Sequence, residues 1–444
     1  MKERTVHSGG AGAGLGAASG AGWDFRLPHP RSAPLLLVAH ADGERTEGLQ
    51  AGLRSLGLPA PIVVAYEELL SGMPLGEAAA RAGLPAETVP LIRLDAPGEH
   101  FGVERALIAL GSPERDDGDE LLPLRERRDP YRMPEAHALA LAERPVRLMH
   151  PSQWFRGFCR LLARVRREAA DAWPTASFWN DPAEIAVMFD KRACHRKLAD
   201  AGVSVPDLLA QPELLTSYEA VRQLMLDRHM HRVFLKLAFG SAASGVIAYQ
   251  INPRTGAQRA TTTLDAEVYI QRPGVFYNSR RVRTLTDPER IRTLIDYLCG
   301  HGVHAERWIP KASLEGRPLD LRQLVAFGEA GHSVVRAGES PMTNLHLRSR
   351  RLSPGASGLP DHALTAARSE ALAALRAFPG SASAGIDVLT DRTTGRPYIA
   401  DVNPFGDLLR RVEVDGLDPY AWQMQLWSRR AAAASGAAPR GEFR

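Results

Sequence analysis

The chain has 444 residues, of which 44% are hydrophobic and 24% charged, a composition typical of a globular protein with two or three folding units. The net charge of +4 comes without a basic run, and no stretch of about 18 residues is apolar, which argues against nucleic-acid binding and a membrane span. The three cysteines, Cys159, Cys194 and Cys299, form no CxxC pair, so we expect a reducing compartment and a cytoplasmic protein.

The first part of the chain predicts an N-terminal α/β domain over residues 32–180. Residues 34–39 and 61–66 are short apolar runs typical of buried parallel strands, and residues 43–56 between them have helical spacing. A long amphipathic helix is predicted over 151–172. At the two ends, 1–31 and 429–444 are rich in Gly and Ala without the apolar segment of a signal peptide, and we expect disordered tails there.

Two further units follow, and we assign them to residues 181–300 and 301–428. The first has two helices before about residue 201 and then mainly strand patterns, at 233–236, 246–250 and 259–283, before a helix at 288–300. The second has strands at 304–309 and 319–328, an Ala-rich helix at 361–378, and a hairpin of 385–389 with 397–402.

The hairpin carries three polar side chains inside apolar strands. Asp401 and Asn403 share a face because alternate residues of a strand point the same way. If the turn is centred on Thr393, Asp387 pairs with Ile399 and lies diagonal to Asp401. A hard divalent cation shared with nucleotide phosphates would satisfy these oxygens. Neutralisation by local arginines or turn amides is an equally good interpretation of the hairpin alone.

A second motif is built around a lysine. Only five of the 55 basic residues are lysines, which favours a specific role for those kept within motifs: Lys2, Lys191, Lys197, Lys236 and Lys311. Lys236 lies in an apolar strand before a loop of small residues, which includes Gly240, Ser241, Ser244 and Gly245. The lysine and the loop amides together suit a triphosphate. A glycine-rich turn beside a snorkelling lysine is the structural alternative.

A third motif joins a strand to a later acidic residue. The strand contains Glu306, Arg307, Trp308 and Ile309, and Asp320 follows. Backbone groups at a strand end can bind the edge of an adenine, and a nearby carboxylate can hold ribose hydroxyls. An ordinary surface strand with a Glu/Arg pair is the simpler interpretation of this motif alone.

The motifs occur together in an order that resembles the ATP-grasp family. The matching segments are 189–191 with 202–206, 233–246, 306–309 with Asp320, and 385–388 with 400–404, so the resemblance covers about 180–406. It implies an α/β (α+β) fold, in which a Rossmann-like pre-ATP-grasp domain precedes the ATP-grasp domain. Residues 320–325, Arg336 and 343–346 look most like the ribosomal-protein glutamate ligase branch.

The resemblance implies a role for each candidate residue. The ATP phosphates would be contacted by Lys191, Lys236 and the loop of Gly240, Ser241, Ser244 and Gly245. Adenine would be framed by Glu306, Arg307, Trp308 and Ile309, and ribose would be held by Asp320. The γ-phosphate or an acyl phosphate would face Arg322 and Arg336, and one or two Mg²⁺ ions, or Mn²⁺ in their place, would be held by Asp387, Asp401 and Asn403.

The function implied is an ATP-dependent carboxylate–amine ligase that works through an acyl phosphate. Its partners would be a small-molecule or peptide carboxylate and an amine, and a homodimer is compatible with the family. The alternatives are a small-molecule kinase on the same fold and a non-catalytic ATP-binding protein. Two features depart from the family pattern: Asp401 replaces the usual Glu, and 261–287 looks like an insertion, for which we favour a packed hairpin over a substrate site.

Overall fold

The structure, a computed structural model, describes residues 6–7, 27–98, 100–115, 118–124, 130–144, 146–240, 244–269, 274–344, 347, 349–406 and 409–434. The described strands form four sheets and helices pack against them, which confirms the α/β class. In this part of the chain no helix is both long enough and apolar enough to cross a membrane.

The N-terminal unit is organised around a parallel sheet. Its elements are β1 (Val6–His7), β2 (Leu35–Ala39), α1 (Glu44–Ser55), β3 (Ile62–Ala65), α2 (Tyr66–Leu70), α3 (Leu75–Arg81), β4 (Leu91–Leu94), α4 (Phe101–Leu110), α5 (Glu135–Leu139), α6 (Pro151–Ala172) and β5 (Ser177–Phe178). The sheet has the order β3-β2-β4-β5. Every residue of β2 is buried, as expected of a parallel strand that is covered on both faces.

The central unit contains an antiparallel sheet with the order β10-β6-β7-β8-β9. Its elements are α7 (Pro182–Phe189), α8 (Lys191–Asp200), a 3₁₀ turn (Pro212–Leu214), α9 (Tyr218–Asp227), β6 (Arg232–Leu237), β7 (Val246–Ile251), β8 (Gln258–Glu267), β9 (Val275–Leu285), α10 (Pro288–His301) and β10 (Val303–Arg307). The stretch 261–287 lies mostly in the β8–β9 hairpin, the interpretation favoured above. β10 was expected in the next unit, but it pairs with β6 and completes this sheet.

The C-terminal unit holds a second antiparallel sheet, with the order β14-β13-β12-β15-β16 and β11 beside β12. Its elements are β11 (Ser313–Leu314), β12 (Arg317–Ala326), β13 (Glu329–Ala337), β14 (Arg350–Leu352), a 3₁₀ turn (Pro354–Ala356), α11 (Asp361–Arg376), β15 (Ser383–Thr390), β16 (Pro397–Asn403), β17 (Val412–Glu413) and α12 (Pro419–Ala434). Small residues on α11 let it pack closely on the apolar face of this sheet.

Both chain ends pack further than the expected tails allow. Leu27 is buried, and Trp427 Nε1 donates a hydrogen bond to Pro28 O at 2.8 Å. β1 pairs with β17, and α12 continues to Ala434. Apolar side chains at these ends therefore hold parts of 1–31 and 429–444 against the core, while 1–5, 8–26 and 435–444 lie outside the described residues.

Candidate functional site

An open cleft of about 140 Å³ lies between the two antiparallel sheets. Strands β6, β7 and β10 contribute side chains from one sheet, and β12, β13, β15 and β16 contribute from the other. Most residues predicted for the site meet there: Lys191, Lys236, Gly240, Ser244, Glu306, Asp320, Arg322, Arg336, Asp387, Asp401 and Asn403. Residues from motifs far apart in the sequence thus share one space.

The acidic hairpin owes its geometry to a β-bulge. Val388 pairs with Ile399, but the next residue, Asp387, pairs with Asp401, so Ala400 is an extra residue on β16. The predicted pairing of Asp387 with Ile399 is therefore wrong. Without the bulge, Ala400 would face Asp387 and Asp401 would point to the other side of the sheet. The bulge also directs the Ala400 carbonyl toward Lys236, whose Nζ donates to it at 3.1 Å.

Two arginines hold the Asp387 carboxylate. Arg322, opposite Asp387 on β12, places Nε 2.5 Å from Oδ1 and Nη2 3.0 Å from Oδ2. Arg336 Nη2 lies 2.8 Å from Oδ1. Burial by itself raises the pKa of the Asp387 carboxyl, but the two guanidinium groups outweigh burial and lower it below its ordinary range. The arginine interpretation considered for the hairpin thus describes how this carboxylate is satisfied here.

Lys236 belongs to a buried chain of three side chains. Its Nζ lies 2.6 Å from Glu306 Oε1, and His304 Nε2 donates to Glu306 Oε2 at 2.8 Å. Burial raises the pKa of the Glu306 carboxyl, but the Lys236 ammonium and the His304 hydrogen bond lower it to about 2. Burial lowers the pKa of His304, so the ring is neutral near pH 7. Glu306 is therefore an ionised carboxylate that fixes the position of the Lys236 ammonium.

Lys191 brings a second ammonium to the cleft from the start of α8. Its Nζ donates to Gly240 O at 2.8 Å and lies 3.2 Å from Asp401 Oδ2. Gly240 is required here, since a β-carbon on it would lie 2.5 Å from Ser244 O. Gly245 has a φ of +68° and does not line the cleft, and Ser241 lies outside the described residues.

A buried network that the sequence motifs did not indicate lies next to Arg336. Asp320 is 4% exposed, and it accepts from Arg336 Nε at 2.7 Å and from the hydroxyl of Thr343. Lys311 Nζ donates to Thr343 Oγ1 at 2.6 Å and also lines the cleft. Burial lowers the pKa of the Lys311 ammonium, which the Asp320 carboxylate opposes. The scarcity of lysine was the signal that could have identified Lys311.

Three residues predicted to frame adenine do not line the cleft with their side chains. Arg307 is exposed and pairs with Asp207 at 2.9 Å. Trp308 packs on Phe234, with ring centroids 5.2 Å apart, and Ile309 is buried. For Arg307 the reason is the alternation of β10, which turns Glu306 toward the cleft and Arg307 away from it, whereas Trp308 and Ile309 lie beyond the end of this strand.

The donor set of the hairpin suits a shared cation better than a closed metal centre. Asp387, Asp401 and Asn403 offer carboxylate and amide oxygens, which Mg²⁺ prefers. Proteins commonly hold Mg²⁺ through one or two carboxylates together with substrate phosphates and water. Among the described residues, no group of three or more His, Cys, Asp or Glu could hold a metal ion. The residues fit an ion that a nucleotide helps to bind.

No protein-family model and no curated protein matches the chain. Among solved structures, it is similar to the ATP-grasp ligase PsnB, in a complex with a phosphomimetic variant of minimal precursor, Mg and ADP. The sequence identity is 14%, the match covers 89% of this chain and 99% of that chain, and the TM-score is 0.45. It is also similar to the D-cycloserine synthetase DcsG, at 14% identity, 90% and 100% coverage and a TM-score of 0.48.

A third similar structure is the D-alanine–D-alanine ligase from Bacillus anthracis complexed with ATP. The identity is 10%, the match covers 91% of this chain and 98% of that chain, and the TM-score is 0.46. These likenesses are distant, so the chemistry of the cleft must support any functional proposal.

Proposed function

We propose that the protein is an ATP-grasp ligase that activates a carboxylate with ATP and joins it to an amine. One observation carries the proposal: five cationic and four acidic side chains line a single cleft between the two sheets, and two of the lysines contact the acidic hairpin. The cationic members are Lys191, Lys236, Lys311, Arg322 and Arg336, and the acidic members are Glu306, Asp320, Asp387 and Asp401.

The cleft has a polar part and an apolar part, as ATP requires. Phe234 and Met342 belong to a small apolar cluster with Val246, and all three line the cleft. This cluster provides a surface for the adenine ring. Lys236 lies two residues after Phe234 on β6, so its ammonium is on the same face and within reach of the phosphates. Lys191 would neutralise the triphosphate from the start of α8.

Asp387, Asp401 and Asn403 would hold Mg²⁺ with the nucleotide. When bound, the ion would supply positive charge to the phosphate oxygens. Within this chain, Arg322 and Arg336 carry charge at the same place, because both contact Asp387. Asp320 acts as a positioning residue for Arg336, since it accepts the Nε hydrogen bond and is itself held by Thr343.

The reaction follows from this distribution of charge. A carboxylate oxygen of the acceptor attacks the γ-phosphorus of ATP, the bond to ADP breaks, and an acyl phosphate forms. The amine nitrogen then attacks the acyl carbon, phosphate leaves with the bonding electrons, and the amine gives up a proton to form the amide. The two arginines stabilise the charge on the transferred phosphoryl group and on the tetrahedral oxyanion.

The proposal is tested by product analysis of the purified full-length protein. Pooled carboxylates, including amino acids and peptides, are incubated with amines, ATP and Mg²⁺; free phosphate is measured and products are identified by mass spectrometry. Amide product with free phosphate supports the ligase. A phosphorylated acceptor without amide would identify a kinase, and nucleotide binding without turnover would identify a non-catalytic protein.

Variants assign the activity to the cleft. Lys236→Met and Asp387→Asn should each lower turnover by about 10² or more, because the first removes a cation from the phosphate site and the second removes a carboxylate that would hold Mg²⁺. Lys197→Met is the matched control, since Lys197 pairs with Glu184 at 3.3 Å and does not line the cleft. Full activity in either cleft variant would contradict the roles proposed here.

A further inference from the structure

The β8–β9 hairpin reaches the ATP cleft at one end of the loop of residues 240–245, called the phosphate loop below. Between two paired positions, β8 has only Thr263, whereas β9 has the four residues 279–282. Such a bulge bends a strand and re-aims its side chains, and bulges are frequent beside active sites. This one lies next to Asn278, whose side chain contacts Ser244 in the wall of the cleft.

Three side chains form a hydrogen-bonded chain that leads into the phosphate loop. Thr263 is 0% exposed, and its hydroxyl donates to Asn278 Oδ1 at 2.6 Å. Asn278 Nδ2 donates in turn to Ser244 Oγ at 3.0 Å. The buried threonine therefore fixes the orientation of the Asn278 amide, and the amide directs its N–H group at the serine.

The direction of this chain decides what the serine hydroxyl can do. A hydroxyl has one hydrogen to donate and two lone pairs that accept. Because Ser244 Oγ accepts from Asn278, its own hydrogen is left for an acceptor on the side of the cleft. Phosphate oxygens are charged acceptors, and hydrogen bonds to ionised groups are about twice as strong as those between neutral groups.

The two ends of the phosphate loop are held by different parts of the chain. Lys191 Nζ donates to Gly240 O at 2.8 Å, so the start of α8 fixes the first end. Asn278 fixes the other end from β9, which is separated by β8 from the strands that carry the loop. The backbone of Asn278 is itself anchored, since its N–H group donates to Val146 O at 2.7 Å. The contact to Ser244 therefore starts from a fixed point.

We propose that Asn278 is a positioning residue, which holds the second end of the phosphate loop and directs the Ser244 hydroxyl hydrogen at an ATP phosphate oxygen. The phosphate contact rests on the proposed function, because it requires ATP in the cleft. Thr263 serves the same role through the Asn278 amide. The stretch 261–287, which departs from the family pattern, thus contributes to the geometry of the phosphate site.

A double-mutant cycle on ATP affinity tests this role. In titrations of the full-length protein, Asn278→Ala and Ser244→Ala should each weaken ATP binding about three- to tenfold, the effect of one hydrogen bond. Because Asn278 acts through the Ser244 hydroxyl, the double variant should bind ATP no more weakly than Ser244→Ala. Full affinity in Asn278→Ala, or losses that add in the double variant, would overturn the positioning role.

Substitutions on β8 decide the same point even where Asn278→Ala does not fold. Thr263→Val removes the hydroxyl that orients the amide and should weaken ATP binding, whereas Thr263→Ser keeps a hydroxyl and should not. Thr261→Val is the matched control: Thr261 Oγ1 lies 3.5 Å from Thr284 Oγ1 in the same hairpin and does not line the cleft, so ATP affinity should be unchanged. Equal affinities of Thr263→Val and Thr263→Ser would contradict the chain.

Hydrogen exchange without nucleotide tests the hold on the loop by itself. Two amides are hydrogen-bonded at the base of the loop, Leu237 N to Gly245 O at 2.7 Å and Gly240 N to Leu237 O at 3.3 Å. They should exchange about three- to tenfold faster in Asn278→Ala than in the wild type or Thr261→Val. Unchanged exchange would overturn the hold. A wild type that binds no ATP would instead refute the proposed function together with the phosphate contact.

Discussion

Replacement of Lys236 by methionine separates the stability of the cleft from its chemistry. The side chain keeps a similar length and loses the ammonium that lies 2.6 Å from Glu306 Oε1. Glu306 is 3% exposed, so its carboxylate is largely desolvated when this partner is lost. His304 still donates one hydrogen bond to the carboxylate. The variant thus contains a buried carboxylate that lacks its main counter-charge.

The size of the effect follows from the Glu306 pKa, which falls from its ordinary value of 4.5 to about 2 in the folded protein. At about 1.4 kcal/mol per pKa unit, this difference corresponds to about 3 kcal/mol. Because the folded pKa is lowered, the stabilisation is fully present above pH 4.5 and is lost as the pH falls through about 2. Lys236→Met should therefore lose about 3 kcal/mol or more of unfolding free energy at pH 7, because the carboxylate keeps its burial penalty when the ammonium is gone.

The sign of the pH dependence should reverse in the variant. Without Lys236, only His304 still opposes burial, so burial raises the Glu306 pKa and protonation stabilises the folded state. The stability difference between wild type and Lys236→Met, measured by urea unfolding, should shrink as the pH is lowered from 7 to 5. Comparison at each pH cancels the titration of other groups.

A second substitution provides the decisive control. In Lys236→Met/Glu306→Gln the buried charge is removed, and most of the lost stability should return at pH 7. Nucleotide binding should not return, because the phosphate cation is still missing. Equal stability of wild type and Lys236→Met, or a double variant as unstable as the single one, would refute the buried pair. Restored ATP binding in the double variant would refute the phosphate role of Lys236.

Two further predictions concern the buried network around Asp320 and the proposed phosphate loop at Gly240. Thr343→Val removes the hydroxyl that donates to Asp320, and it should lower the unfolding free energy by about 1–3 kcal/mol in urea, whereas Thr343→Ser should keep most of it. Gly240→Ala places a β-carbon 2.5 Å from Ser244 O and should weaken ATP binding about tenfold in a titration, whereas Gly355→Ala, with open space around it, should not.

Most of the fold could be predicted because local pattern determines it. The helix at 151–172 begins and ends at the predicted residues, since one apolar face and Pro151 at the first turn mark it clearly. β2 is an uninterrupted apolar run and is buried throughout. The partner of β10 could not be predicted in the same way. Its pairing with β6 depends on contacts between distant segments, which the pattern of either strand does not contain.

The sequence predicted which residues belong to the site, but it did not predict which of them face or contact each other. The hairpin motif indicated Asp387 and Asp401, but their facing arrangement depends on one bulged residue, Ala400. A one-residue difference in register changes the face of every later side chain, so a turn position estimated from sequence cannot decide it. Lys311 is one of only five lysines, but it belongs to none of the motifs. Its link to Asp320 runs through Thr343, a residue far away in the sequence, and local pattern does not show such a contact.

The paired charges suggest how the cleft would receive ATP. Lys236 is held by Glu306, Lys191 contacts Asp401, and Arg336 lies between two carboxylates, so the cations are positioned before any phosphate arrives. Preorganised charge costs little reorganisation when a transition state forms. Nucleotide binding then becomes an exchange, in which phosphate oxygens take over lysine contacts while a cation takes over carboxylate contacts. Glu306 is the exception, because it is buried behind Lys236 and tied to His304, and it should keep its lysine throughout the reaction.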